Sequence, residues 1–444
     1  MTFAELTLNQ TLLDAIIKGG YETPTPIQEK AIPHILKGKD MLGSAQTGTG
    51  KTAAFALPII QKIQDAKRHG DTKHVRALVL APTRELALQI KDNFVIYSKD
   101  IKVRTTAIYG GVPKRKQIQA LKRGADVVIA TPGRLMDLMN QGVIRLDKVE
   151  YFVLDEADRM LDMGFIDDVK KIAKSVPNQR QTMLFSATIP KSIEKLASAL
   201  LTSPIRVEIN PENTPLDTIN QSVYFVKRND KAALLSDILF KEAVTSALVF
   251  VRTKHGANDL AKLLNSSGVL TDTIHGNKTQ GQRQRTLKSF KQGRVKVLVA
   301  TDIASRGIDI DDLSHVINYD MPESAETYLH RIGRTARAGK EGVSISFCSP
   351  RESHLLKAVQ KHIEMRIPVE ADHRFKIEKP EKKQNKKPGK KAANGQTPPS
   401  NNTKKGKGKG KKSGDFGKFS KNSKKSYESK AKKYKVKRRS YQGK

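Results

Sequence analysis

Along the first 370 residues, short apolar runs alternate with segments of helical periodicity. The runs include RALVLAPT (76–83), ADVVIATP (125–132), YFVLDEAD (151–158) and TMLFSATI (182–189). SALVFVRT (246–253), KVLVATDI (296–303) and HVINYD (315–320) continue the series. Each is nearly unbroken and ends in polar residues, which predicts parallel strands buried on both faces. Helical segments between them predict βαβ units with right-handed crossovers. VVIATPGR (127–134) is echoed by VLVATDIASR (297–306), so a duplicated α/β domain is expected. The rhythm restarts after SPIRVEINPENTPLDTIN (203–220), whose three prolines and few periodic apolar residues read as a linker. The expected organisation is a first domain over 1–206, a linker over 207–217 ending near Asp217, a second domain over 218–371 and a tail over 372–444. Two parallel-sheet domains of this kind would face each other across a cleft.

Composition changes the picture mainly at the end of the chain. Of 444 residues only 37% are hydrophobic and none is Trp. The formal net charge is +36. Residues 371–444 carry 27 basic and five acidic side chains, so most of the excess sits in the last sixth. That segment lacks apolar periodicity and is expected to be disordered, with Phe416, Phe419, Tyr427, Tyr434 and Tyr441 set among its lysines. A polyanionic partner is implied, nucleic acid or an anionic membrane. One cysteine, Cys348, excludes an internal disulfide or a cysteine-based metal site. The start MTFAELTLNQ lacks the order of a secretory signal, and no apolar run approaches the ~18 residues that span a bilayer. A soluble protein of a reducing compartment, the cytoplasm, is expected.

The strongest local signal is AQTGTGKT: Ala45, Gln46, Thr47, Gly48, Thr49, Gly50, Lys51 and Thr52. Small residues let backbone N–H groups turn toward phosphate oxygens, and the helix that follows aims its positive end at the anion. Lys51 would reach the β/γ-phosphates and Thr52 would offer its hydroxyl to Mg²⁺. The generic pattern opens on Gly where this chain has Ala45. YFVLDEAD delivers Asp155 and Glu156 at the end of a predicted strand, where parallel sheets bind ligands. Asp155 would hold Mg²⁺, and Glu156 would orient and deprotonate the attacking water. HRIGRTARAG (330–339) spaces Arg331, Arg334 and Arg337 three apart, which predicts one face of a helix. These are either arginine fingers acting from the second domain or a solvated basic face.

Together these residues resemble the DEAD-box ATP-dependent RNA helicases, whose name is spelled by Asp155-Glu156-Ala157-Asp158. The resemblance covers about residues 1–370 and looks closest to the bacterial RhlE-type group. It implies two tandem RecA-like domains with ATP and Mg²⁺ as cofactors. GYETPTPIQ (20–28) resembles the adenine-reading Q motif, so Gln28 would contact the adenine edge and Tyr21 would pack near the base, with Phe3 as the upstream aromatic. PTRELA (82–87), Gly110-Gly111 and TPGR (131–134) are similar to RNA-contacting motifs, making Thr83, Arg84, Gly111, Thr131 and Arg134 the implied phosphate contacts. SAT (186–188) is similar to the motif that couples nucleotide state to unwinding. Ser186 and Thr188 would hydrogen-bond to the acidic motif, Asp158 included, or form an ordinary strand-end turn. In the second domain the resemblance implies Arg252, Gln280, Arg283, Thr301 and Gly307 as RNA contacts and Asp309 at the nucleotide ribose. Arg334 and Arg337 would be the fingers, while His330 and Arg331 would link the two sites. Ala336 stands where many members have Gly.

The expected function is an RNA-dependent ATPase that unwinds short duplexes and remodels RNA or ribonucleoprotein. Its domains would be open without ligand and closed by ATP and RNA together. An ATP-gated RNA clamp or annealing chaperone uses the same motifs, and a passive RNA-binding scaffold would need none of them. Ribosomal particles or RNA-decay proteins are the expected partners, and no membrane is. The tail is expected either to tether RNA or to be a solvated segment without catalytic role.

Overall fold

Two parallel seven-stranded sheets organise the computed structural model, which describes residues 1–46, 48–66, 74–209, 218–241, 244–305, 310, 313–336 and 342–377. The first sheet contains β1 (Met41–Ser44), β2 (Ala77–Leu80), β3 (Thr105–Ile108), β4 (Val127–Ala130), β5 (Tyr151–Leu154), β6 (Gln181–Ser186) and β7 (Ile205–Glu208). Its order is β3-β4-β2-β5-β6-β1-β7. The second contains β8 (Ile219–Phe225), β9 (Ala247–Phe250), β10 (Thr271–Ile274), β11 (Val297–Ala300), β12 (His315–Asn318), β13 (Gly342–Cys348) and β14 (Val369–Glu370). Its order, β10-β11-β9-β12-β13-β8-β14, repeats the first when the strands of each sheet are counted from one. The sequence echo therefore marks a duplication of the whole sheet.

Successive side chains alternate across each sheet and both faces are covered. Ala77 and Val79 of β2 join one apolar core, with Phe55, Ile59 and Phe94 of the helices Lys51–Asp65 and Arg84–Tyr97. Leu78 and Leu80 join the other, with Leu135, Val169 and Ile193. In the second sheet Val249 and Val299 face one core while Leu248 and Leu298 face another. A near-continuous apolar strand is what two covered faces require.

Four expectations change. Residues 203–220 are not all linker: β7 pairs with β1, and β8 begins at Ile219. In β7 the apolar Ile205 and Val207 alternate with exposed Arg206 and Glu208, a half-covered edge strand framed by prolines. The segment expected as tail continues as fold as far as Ile377. Arg374 pairs with Asp237 at 2.9 Å, and Lys376 bridges Val226. The helix carrying Arg331 ends at Ile332 with Gly333 as its cap, so Arg334 lies in the following turn and not on one helix face with Arg331. The domains expected to stand apart are in contact, with Arg283 Nε of the second donating to Glu85 Oε1 of the first at 2.7 Å. Thr47, Gly307, Asp309, Arg337, the expected boundary at Asp217 and the tail from 378 lie outside the described residues.

Candidate nucleotide and RNA site

The C-terminal ends of β5, β6 and β1 lie side by side and bring three motifs together. β1 runs into Ala45, whose N–H donates to Ser186 O at 3.1 Å. The chain then turns through Gly48 (φ 85°) and Gly50 (φ 90°) into the helix Lys51–Asp65, with Thr52 in its first turn. Thr49 Oγ1 donates to Gln46 O at 2.8 Å, which closes the loop. Buried Lys51 extends under the loop and donates from Nζ to Ala45 O at 2.6 Å.

Gln28 is buried and joined to the same loop. Its Nε2 donates to Gly50 O at 3.1 Å, and its Oε1 accepts from Thr25 N at 3.0 Å. Thr25 Oγ1 donates to Thr49 O at 2.7 Å. The Q segment thus caps its own helix, Pro26–Leu36, and braces the phosphate loop. Each Gln28 amide atom keeps capacity for one further bond. Tyr21 and Tyr97 share a hydroxyl hydrogen bond of 2.7 Å, and the Tyr21 ring stands edge-on to Phe3.

At the end of β5, burial pushes the Asp155 carboxyl up to about 7 against the opposing pull of Lys51. Glu156 adopts a left-handed backbone (φ 53°), and its Oε2 accepts from Arg159 Nη1 at 2.7 Å, both side chains being buried. Asp158 Oδ2 accepts from Ala187 N, Thr188 N and Thr188 Oγ1 at 3.0 to 3.2 Å. Asp158 N–H donates to Ser186 Oγ at 3.1 Å. The bonds expected of Ser186 and Thr188 are therefore made.

Thr52 and Asp155 offer two hard oxygen donors. Among the described residues no group of three or more His, Cys, Asp or Glu could hold a metal ion. This set fits Mg²⁺, which keeps waters and substrate phosphates around one or two protein oxygens, and does not fit a metal needing a full protein cage.

The RNA candidates occupy the other half of the sheet edge, past β2, β3 and β4. Thr83 caps the helix Arg84–Tyr97. The Arg84 guanidinium lies so close to Gly111 that a Cβ there would sit 1.9 Å from Nη1. Thr131 is the N-cap residue of Pro132–Asn140, and Arg134 donates to Val112 O at 3.2 Å and to Gln117 Oε1 at 3.2 Å. In the second domain Arg252 follows β9, with its N–H on Asp320 Oδ2, and Thr301 follows β11. Gln280 and Arg283, expected at RNA, are instead engaged by Glu85 Oε1 of the first domain, at 3.1 and 2.7 Å. Arg283 also donates to Ala304 O at 3.0 Å.

Arg331 uses four of its five N–H groups within its own domain. Its guanidinium makes two bonds to Asp302 at 2.6 and 2.7 Å, others to Asn318 Oδ1 and Asp320 O, and stacks over Phe250. His330 and Arg334 line a small cavity with Arg159 of the first domain. Burial, and next the charge of Arg159, hold the His330 imidazole below its usual range. Three side chains of this site escaped the sequence reading: Glu85, Arg159 and Asp302. Arg159 had a faint local signal, a base three positions after Glu156. Glu85 and Asp302 had none, because their partners lie 198 and 29 positions away.

Tandem RecA-like domains, a phosphate loop with an acidic partner and basic side chains across the cleft define a two-domain protein of the RecA-like nucleotide-binding class. Residues 25–196 match the DEAD/DEAH box helicase family, and residues 230–339 match the helicase conserved C-terminal domain. The chain is 46% identical over 370 residues to the ATP-dependent RNA helicase CshA of Listeria monocytogenes, covering 83% of this chain and 70% of the relative. It is 43% identical over 388 residues to the DEAD-box ATP-dependent RNA helicase CshA of Geobacillus kaustophilus, covering 85% and 82%. Among solved structures, S. cerevisiae Dbp5 bound to RNA and ADP BeF3 matches at TM-score 0.73 and 34% identity, over 83% of this chain and 95% of that one. The chain belongs to the DEAD-box RNA helicase family. The RhlE-type expectation finds no support in these relatives, which carry the name CshA.

Proposed function

We propose that this protein hydrolyses ATP in response to RNA and uses domain closure to separate short duplexes and remodel RNA or ribonucleoprotein. One observation carries the reading: Arg159, bound to Glu156 of the first domain, lines the same cavity as His330 and Arg334 of the second. Completion of the site therefore depends on closure of the cleft.

Phosphates would lie against the N–H groups of 46–50 and the N-terminus of Lys51–Asp65. To receive them Lys51 exchanges its bond to Ala45 O for phosphate oxygens. Thr52 and Asp155 would hold Mg²⁺, which would neutralise charge on the bound phosphates. Glu156 takes the proton of the attacking water, and Arg334 and Arg337 stabilise the charge that develops on the γ-phosphoryl. Gln28 would use its remaining donor and acceptor on the adenine edge, with Tyr21 beside the base and Asp309 at the ribose. Thr83, Arg84, Gly111, Thr131 and Arg134, with Arg252, Thr301 and Gly307, would hold RNA by its backbone, giving little sequence preference. The cytoplasm is the proposed location, with ribosomal particles or RNA-decay assemblies as partners to be sought by co-sedimentation.

The test is Glu156→Gln. It keeps the side-chain volume and the bond from Arg159 but removes the base. We expect turnover to fall by at least about 100-fold, the scale of general-base loss, while ATP-dependent RNA binding persists. Normal RNA-stimulated turnover in this variant would refute the assignment of Glu156.

A further inference from the structure

The helix Lys114–Lys122 begins three residues after Gly111, in the sequence Lys-Arg-Lys-Gln-Ile-Gln-Ala-Leu-Lys, and Arg123 caps it. Five of residues 114–123 are basic and none is acidic. Its inner face is fixed to the fold. Gln117 is buried, donates to Tyr109 O at 2.9 Å and accepts from Arg134 Nη1, while Ile118 and Leu121 pack on the apolar core. Its outer face carries Arg115, Lys116, Lys122 and Arg123, all exposed, none paired with an acid among the described residues. Only Lys114 has a carboxylate partner, Asp137 at 3.5 Å. Arg115 and Lys122, seven residues apart, recur on one side of the helix about 10 Å apart along its axis.

We infer that this outer face is a second RNA-docking surface, which holds the phosphates of the strand just outside the cleft. The inference rests on the reading of Gly111 and Arg134 as phosphate contacts and extends it to residues outside those motifs. Two features point to nucleic acid. The face is continuous with the proposed interface, because Gln117 joins the helix to both Tyr109 and Arg134. Its charge is of one sign and uncommitted, so it attracts phosphate without first breaking an ion pair. An acidic protein would meet the same charge, but this outer face carries no exposed large apolar side chain to anchor it. The consequence is a footprint longer than the cleft: RNA that only fills the cleft leaves the face empty, and a longer strand engages both.

The test uses the full chain with the fourfold substitution R115Q/K116Q/K122Q/R123Q, all at exposed positions that leave the apolar face intact. Binding of a short oligouridine that only fills the cleft and of a long one is measured against salt with a non-hydrolysable ATP analogue. For long RNA we expect weaker binding and a shallower log–log salt slope. The slope should change by about 0.7 for each phosphate that the variant no longer neutralises, hence by about 2 to 3. Short-RNA affinity and turnover at saturating RNA should match wild type. Equal long-RNA affinity and slope in variant and wild type would overturn the docking surface and leave a solvated helix face. An equal weakening for short and long RNA would overturn it too, by showing only a general field effect. Failure of the wild type to bind short RNA would instead refute the underlying reading of the cleft. A charge-restoring variant with lysine at all four positions should recover binding.

Discussion

At Gly50 and Gly111 a side chain occupies the space that a Cβ would need. Gly50 has φ 90° and Gln28 Nε2 would lie 2.3 Å from its Cβ, so the loop can bend only where Gln28 can lean on it. Gly111 has φ 74° and Arg84 in the equivalent place. Its neighbour Gly110 would put a Cβ in ordinary contact with Arg84, 3.5 Å from Nη2. The pair therefore predicts unequal effects. Gly111→Ala forces a left-handed alanine, costing about 1–2 kcal/mol, and displaces the Arg84 guanidinium. RNA affinity should fall several-fold while nucleotide affinity in the absence of RNA holds. Gly110→Ala should stay near wild type in both. Equal RNA affinities for the two variants, measured by anisotropy, would remove Arg84 from the interface. Ala336 shows the same constraint from the other side: its φ of 55° explains why Gly suits that position in the family.

The helix Arg84–Tyr97 sends its first residues in different directions. Thr83 caps it, Arg84 covers the Gly110-Gly111 turn and Glu85 reaches the second domain. From Glu85 a series of contacts leads through Arg283 to Ala304 O, on the short helix Asp302–Ser305 that also supplies Asp302 to Arg331. On the proposed reading, RNA at Thr83 and Arg84 would rest on the same helical turn that meets the second domain through Glu85. Glu85→Gln keeps an acceptor for Gln280 but leaves buried Arg283 without its carboxylate. The gain in RNA affinity produced by an ATP analogue, typically 5–150-fold for such coupling, should shrink by roughly tenfold, with ATP affinity alone unchanged. An undiminished gain would show that Glu85 and Arg283 merely touch. This latch was hidden in the sequence for a physical reason. A phosphate loop or an acidic strand end is local and betrays itself by spacing, whereas an ion pair between residues 198 positions apart leaves no periodic trace. The same holds for β3 and β10, where Thr105, Thr106, Thr271 and Asp272 break the apolar run of an edge strand. The central strands β2, β4, β5, β6, β9, β11 and β12 were readable as apolar runs, whereas β8 and β13, interrupted by Gln221, Ser344 and Ser346, were not.

The whole molecule adds a charge imbalance that neither sheet explains. Residues 371–444 hold 27 basic and five acidic side chains, yet every candidate group for hydrolysis lies before residue 338. Met1–Lys379 cluster as one unit, and the last described contacts, Arg374 with Asp237 and Lys376 with Val226, close the second domain. Removing 378–444 leaves every one of these described contacts in place. As a tether, a lysine-rich arm would attract phosphate without regard to sequence and raise the RNA concentration around the folded domains. Its contribution belongs in the RNA KM at low salt and not in kcat. The truncated chain should show a several-fold higher RNA KM at low salt, converging with the full chain as salt rises, and the same turnover at saturating RNA. Independent action of the arm and of the Lys114–Lys122 face predicts additive effects on the salt slope. A combined variant whose slope falls no further than that of the truncation would mean that the arm alone captures RNA. An unchanged KM on truncation would leave capture to the folded domains.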